Sequence, residues 1–172
     1  MASDARVRYT KSVIIKSFTN LLQTRPINKI TVKEICSLSE INRATFYKHY
    51  IDVYDLLEKI EAQFLEELKE VLVSREHNTI KDVLTFIMIK FKAEENKYKP
   101  ICSDNGDPSF PAKLFEVCYE IVVTQKDFIY PNLSTVQKNQ LYHFIAHGCN
   151  GIINQWIADG MKEPISNIAD FT

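Results

Sequence analysis

Residues 30–57, ITVKEICSLSEINRATFYKHYIDVYDLL, decide how this chain is read. Thr31 is a hydroxyl N-cap, and Glu34 stands three residues on, which is the spacing of a capping box. Val32, Ile35 and Cys36 then recur on one face at helical spacing. The apolar period stops in Leu38-Ser39-Glu40, which predicts a turn near residues 38–41, and Asn42 can cap a second short helix. On that helix Phe46 and Tyr50 share a face with Asn42, while Ala44, Tyr47 and Lys48 project from the other side. One face can pack and the other can meet a partner, with outward side chains that are small, basic or hydroxylated.

The stretch resembles the helix-turn-helix of the tetracycline repressor (TetR) family of bacterial transcription regulators, whose pattern ends in a Thr-Phe-Tyr-x-His-aromatic string. Thr45-Phe46-Tyr47-Lys48-His49-Tyr50 matches it and is followed by Asp55-Leu56-Leu57. The likeness extends upstream through Ile30-Thr31-Val32 to the apolar helix around Phe18, so it covers roughly the first 60 residues, the size of such a headpiece. Two positions depart from the pattern: Glu40 stands where the turn often has Gly, and Val53 where a Lys commonly opens the next helix. Glu40 would strain the turn by about 1 kcal/mol if it must be left-handed, and Val53 removes one expected phosphate contact.

The resemblance implies an all-α fold with an N-terminal three-helix DNA-binding domain over residues 1–52 and a C-terminal helical bundle over 53–172 for effector binding and dimerisation. It also implies a homodimer on a palindromic operator, because paired headpieces read half-sites one or more DNA turns apart, roughly 34–36 Å or a multiple. Repression is the commoner outcome in the family. Activation, or control by a partner protein instead of a small molecule, is the alternative.

Charge agrees with the motif. Through residue 50 there are nine Lys or Arg against three acids, a balance of +6, and the remainder holds twelve against nineteen, or −7. A net charge of −1 hides this asymmetry, which favours a polyanion at the N-terminal end through counterion release. A basic N-terminal third is equally the pattern of an ordinary solvated face, so the charge is read together with the motif.

At 172 residues and 45% hydrophobic, the chain suffices for one sizeable core or two small ones. No apolar run approaches the roughly 20 residues needed to cross a bilayer, and Met1 to Lys11 lacks a signal-peptide core, so a cytoplasmic location is expected. Cys36, Cys102, Cys118 and Cys149 have no Cys-x-x-Cys spacing and read as reduced, buried thiols. Four glycines and recurrent 3.6-residue periodicity predict helices throughout. The first begins at Tyr9-Thr10-Lys11 and carries Ile14, Phe18, Leu21 and Leu22 before Arg25-Pro26. From Val53, apolar residues hold the period for about twenty residues, a rod of roughly 30 Å. Another helix starts at Asn78, and the turn-rich stretch Lys99 to Pro111 should separate two helices of the second domain. Leu114, Phe115, Cys118, Ile121 and Val122 form the next stripe. A last long helix from about Ser134 to Asp159 has the stripe Leu141, Phe144, Ile145, Gly148, Cys149, Ile152 and Trp156. Gly148 and Gly151 each weaken it by up to about 1 kcal/mol, so close approach of another helix, from a second subunit or its own, is the expected compensation.

Helix geometry together with the resemblance gives roles. Arg43, Ala44, Thr45 and Lys48 would face the major groove, where Arg and Lys donate to guanine O6 and N7 and Ala or the Thr methyl touches thymine methyl. Thr31, Tyr47 and His49 would contact phosphates, which set register and carry no sequence information. Thr45 could instead be buried in the headpiece, and His49 could cap local structure. In the second domain Phe91, Phe115, Tyr119, His143, Phe144, His147 and Trp156 could line an effector pocket or serve equally as core. His143 and His147 stand four apart near Cys149, but no third ligand is forced by sequence, so no metal and no cofactor is expected; a satisfied pair lining a bundle or pocket is favoured. An enzyme using Cys118 or His143 is the competing class, and no phosphate loop, nucleophile elbow or carboxylate pair supports it.

Overall fold

The computed structural model describes residues 2–74, 79–125 and 133–170, and among them the ordered elements are helices without a strand. The fold is all-α, with the helix-turn-helix at its N-terminal end and a helical domain at its C-terminal end. In chain order the α-helices are α1 (Ala2–Leu22), α2 (Val32–Leu38), α3 (Arg43–Tyr47), α4 (Val53–Ser74), α5 (Ile80–Ala93), α6 (Glu95–Ile101), α7 (Phe110–Gln125), α8 (Thr135–Ala158) and α9 (Ile165–Ala169), with a 3-10 turn at Ile27–Lys29. They divide into two compact units, residues 1–62 with 94–108, and 63–93 with 109–172.

The first unit is built on α1, which begins at Ala2, a full two turns before the expected Tyr9. Ile14, Phe18 and Leu22 are completely buried, whereas Leu21, expected on the same stripe, is only half-buried. Burying each large apolar side chain is worth about 1.5–3 kcal/mol, enough to hold short helices that would not persist alone. The turn between α2 and α3 is closed by the Ile41 N–H donating to Cys36 O at 3.1 Å, and Glu40 within it has φ of 53°. Glu40 is therefore left-handed, the strained conformation that its replacement of Gly implied.

The turn-rich stretch after α5 belongs to this first unit. α6 includes Lys99 and Pro100 and packs on α1, and the loop beyond it is tied to the α1 end by Asn105. Asn105 Nδ2 donates to Leu22 O at 2.8 Å, and the Ile27 N–H donates to Asn105 O at 2.8 Å. The loop reaches this position only with a glycine at 106, since a Cβ there would lie 2.3 Å from Ile101 O. Its local composition marks it as a loop but not which core it joins.

In the second unit Phe64, Phe91 and Phe110 are buried and make mutual ring contacts at 5.3–6.2 Å, with Phe86 6.3 Å from Phe64. α7 packs on α8, where Tyr142 Oη donates to Phe115 O, and α5 packs on α9, where Lys81 pairs with Asp170. α8 is opened by Ser134 and Gln137 as a capping box, and its end is fixed by Trp156 Nε1 donating to Glu163 O at 2.9 Å. Its buried residues are Cys149, Ile153, Trp156 and Ile157. The expected stripe is thus corrected: Phe144 and Gly148 are exposed, and no atom lies within 4 Å of a Cβ built on Gly148 or Gly151. Among the described residues, no helix of the chain's own approaches these glycines. The expected helix start at Asn78 and the Ile121 and Val122 side chains lie outside the described residues.

Candidate nucleic-acid interface

α2 and α3 are each set by a side-chain cap at the N-terminus. The Glu34 N–H donates to Thr31 Oγ1 at 3.3 Å and the Thr31 N–H returns to Glu34 Oε2 at 3.0 Å, completing the expected capping box. Thr31 Oγ1 also donates to Glu34 Oε2 at 2.7 Å, and Arg25 Nη2 donates to Glu34 Oε1 at 2.9 Å. These bonds, the Thr31 side chain's first, hold the Glu34 carboxyl below its ordinary range. On α3, Asn42 Oδ1 accepts from the Thr45 N–H at 2.7 Å and Thr45 Oγ1 at 2.9 Å. A cap of this kind is worth about 1 kcal/mol, a large share for a helix of five residues.

Capping orients the α3 faces. Phe46 is fully buried, with its ring 5.7 Å from Tyr47 edge-on and 5.5 Å from Tyr50. Burial with Asp55 nearby pushes Tyr50 up to about 12. Arg43, Ala44, Tyr47 and Lys48 are exposed, Tyr47 to 56%, and Thr45 is intermediate. α3 ends at Tyr47, so Lys48 and His49 form a turn that the periodicity did not separate from the helix.

His49 is half-buried, and burial first, then Lys11, Lys48 and Lys59, lower its proton affinity below that of an ordinary histidine. A neutral imidazole beside three cations suits an anion such as phosphate. Lys59 was not expected here: Nζ donates to His49 O and to Asp55 Oδ2, both at 2.9 Å. Asp55 Oδ2 also accepts the Ile51 N–H at 2.8 Å, and Asp52 Oδ1 accepts from Tyr54 and Asp55 at the start of α4. The Lys59 bond first, then Ile51, lowers the Asp55 carboxyl. The i,i+4 pair Asp55–Lys59 was the sequence signal for this brace. Val53, in the position where a Lys is common, is buried.

A family model described as a transcriptional regulator C-terminal region, TetR type, matches residues 78–172. The chain belongs to the TetR family of transcription regulators. The structure of the dihydroxyacetone kinase operon activator DhaS is similar at 21% identity and a TM-score of 0.66, covering 94% of this chain and 90% of the other. A TetR transcriptional regulator from Streptococcus agalactiae is 21% identical with a TM-score of 0.68, over 99% and 95% of the two chains. FadR from Bacillus subtilis, in complex with stearoyl-CoA, is 14% identical with a TM-score of 0.63, over 92% and 93%. No curated protein matches the chain.

The effector candidates of this TetR-family chain do not share one environment. Phe91 and Phe115 are buried, and Trp156 is buried with its indole N–H engaged. His143 and His147 are exposed on α8 with Phe144, which is 79% exposed, and the Tyr119 side chain lies outside the described residues. All four thiols are buried and raised by burial, Cys118 to about 12, so they are neutral. Among the described residues no helix is long and apolar enough to cross a membrane, and no three His, Cys, Asp or Glu converge as metal ligands.

Proposed function

We propose that the chain is a homodimeric repressor that reads a palindromic operator through α3 and is released by an effector held in the C-terminal unit. The observation that carries the DNA-reading role is the capped α3, with Phe46 buried while Arg43, Ala44, Tyr47 and Lys48 stand outward. Arg43, Ala44, Thr45 and Lys48 read base edges, and Thr31, Tyr47 and His49 hold phosphates. The Thr45 hydroxyl is held by Asn42, which leaves its methyl for a thymine. Thr31's hydroxyl is engaged by Glu34, so a phosphate contact requires it to turn from that carboxylate.

The dimer reading rests on α8. In twenty-four residues it carries one formal charge, Lys138, yet Val136, Phe144 and the two glycines are exposed. An uncharged face needs no complementary charge, and a second copy supplies the same uncharged surface, with its exposed Val136 and Phe144, across a two-fold axis. For the effector, Phe91 and Phe115 remain candidates on the C-terminal unit with Trp156, and the FadR structure with stearoyl-CoA favours an apolar ligand. Activation is the second reading, favoured by the likeness to the DhaS activator. Selection of the purified protein on random duplex DNA at two salt concentrations tests the proposal. Enrichment of a palindrome with salt-dependent affinity is expected; no enrichment and no retention at low salt overturns it.

A further inference from the structure

His143 and His147 stand one turn apart on α8, with ring centroids 6.3 Å apart and ring planes within 25°. Burial in a bundle or pocket would account for such a pair without any ligand. Both imidazoles are exposed, so that account does not apply to them. Tyr142, whose ring is 5.5 Å from that of His143, is anchored inward through its hydroxyl to Phe115 O.

We propose that His143 and His147 form half of a divalent transition-metal site, completed by the same two residues of a second copy. The inference rests on the α8 dimer face proposed above. Two His at i and i+4 lie on one helix face with Cβ atoms about 5–6 Å apart, the arrangement helical zinc motifs use. Zinc–imidazole bonds of about 2.0–2.1 Å at a tetrahedral angle put the centroids of two bound rings about 5 Å apart. The observed 6.3 Å closes to that by side-chain rotation, which exposure permits.

The donor set selects the metal. Residues 135–158 contain no Asp or Glu, so hard cations such as calcium and magnesium find no carboxylate, while neutral imidazole suits zinc, copper, nickel and cobalt. One chain supplies two ligands, short of the four of a closed zinc site. Gly151, one turn past His147 on the same side of the helix, leaves the backbone open to a close helix crossing. A two-fold axis beside His143 and His147 gathers four imidazoles around one point, because each chain offers the same pair to the other.

The test is calorimetric titration of zinc chloride into tag-free full-length chain, with sedimentation velocity in chelator and in zinc. One zinc per two chains is expected, with self-association tightened by roughly tenfold or more through linkage. H143A and H147A should each lose the calorimetric signal at micromolar zinc while still dimerising in chelator, and H49A should retain it. Binding that survives in the double variant H143A/H147A overturns the site. A wild-type chain that is dimeric in chelator but takes up no zinc overturns the metal site alone. A chain that stays monomeric with one zinc each overturns the shared site by removing the second copy on which it rests.

Discussion

Among the described residues α3 and α8 each leave one face uncovered, and they do so with opposite chemistry. α3 has five residues, one wholly buried ring and an outward row of Arg43, Ala44 and Tyr47, with the exposed Lys48 in the turn that follows. α8 has twenty-four residues and one charge, with an outward row of Val136, His143, Phe144, His147 and two open glycines. The basic, hydroxylated face suits a polyanion, and the uncharged one suits a copy of itself. Exposure alone does not suggest a partner; the proposed partners follow from the charge on the exposed row.

Exchanging a phenylalanine for alanine on either helix breaks the comparison most directly. Phe46→Ala removes a fully buried ring and should cost about 3–5 kcal/mol, abolishing DNA binding with the headpiece fold. Phe144→Ala should leave helicity by circular dichroism unchanged and weaken only self-association, seen by sedimentation. Loss of helicity in both, or in neither, would erase the distinction between the two faces.

Smaller effects sharpen the α3 side. Arg43→Ala should cost about 1–3 kcal/mol against the preferred operator and flatten base preference at one position, whereas Tyr47→Ala should weaken all duplexes alike in a gel-shift series. Asn42→Ala removes the cap from Thr45 and should lower stability by about 1 kcal/mol in urea unfolding. Glu40→Gly should raise it by up to about 1 kcal/mol, because the left-handed φ is free for glycine.

The smallest effect expected is one of pH. In the free chain burial and Lys11, Lys48 and Lys59 lower the proton affinity of His49; a phosphate beside it raises that affinity. DNA binding then takes up a proton, so operator affinity should rise, by less than about tenfold, as pH falls from about 8 to about 6. His49→Gln should flatten the profile, and a flat wild-type profile would remove His49 from the phosphate contacts.

The headpiece was legible in the sequence because its determinants are local. Thr31 with Glu34, Asn42 with Thr45, and the strained Glu40 all act within four residues, and each is where the pattern put it. The second unit was legible as helices but not as faces. Phe144 fits the apolar period of α8 as well as Cys149 does, and only packing distinguishes the exposed ring from the buried thiol. The Lys99 to Pro111 stretch, expected between two helices of the second domain, falls up to residue 108 in the first compact unit, since Asn105 binds Leu22 and Ile27 some eighty residues away. Long-range partners of a turn-rich loop leave no periodic trace.

The most direct test of the two-face account is a titration of wild-type and Phe144→Glu protein against a selected full palindrome and its isolated half-site. Wild type should bind the palindrome as two chains and far more tightly than the half-site, while the variant should bind both with the same weak affinity through an intact α3. A variant that keeps the palindrome preference would show that α8 does not pair the headpieces.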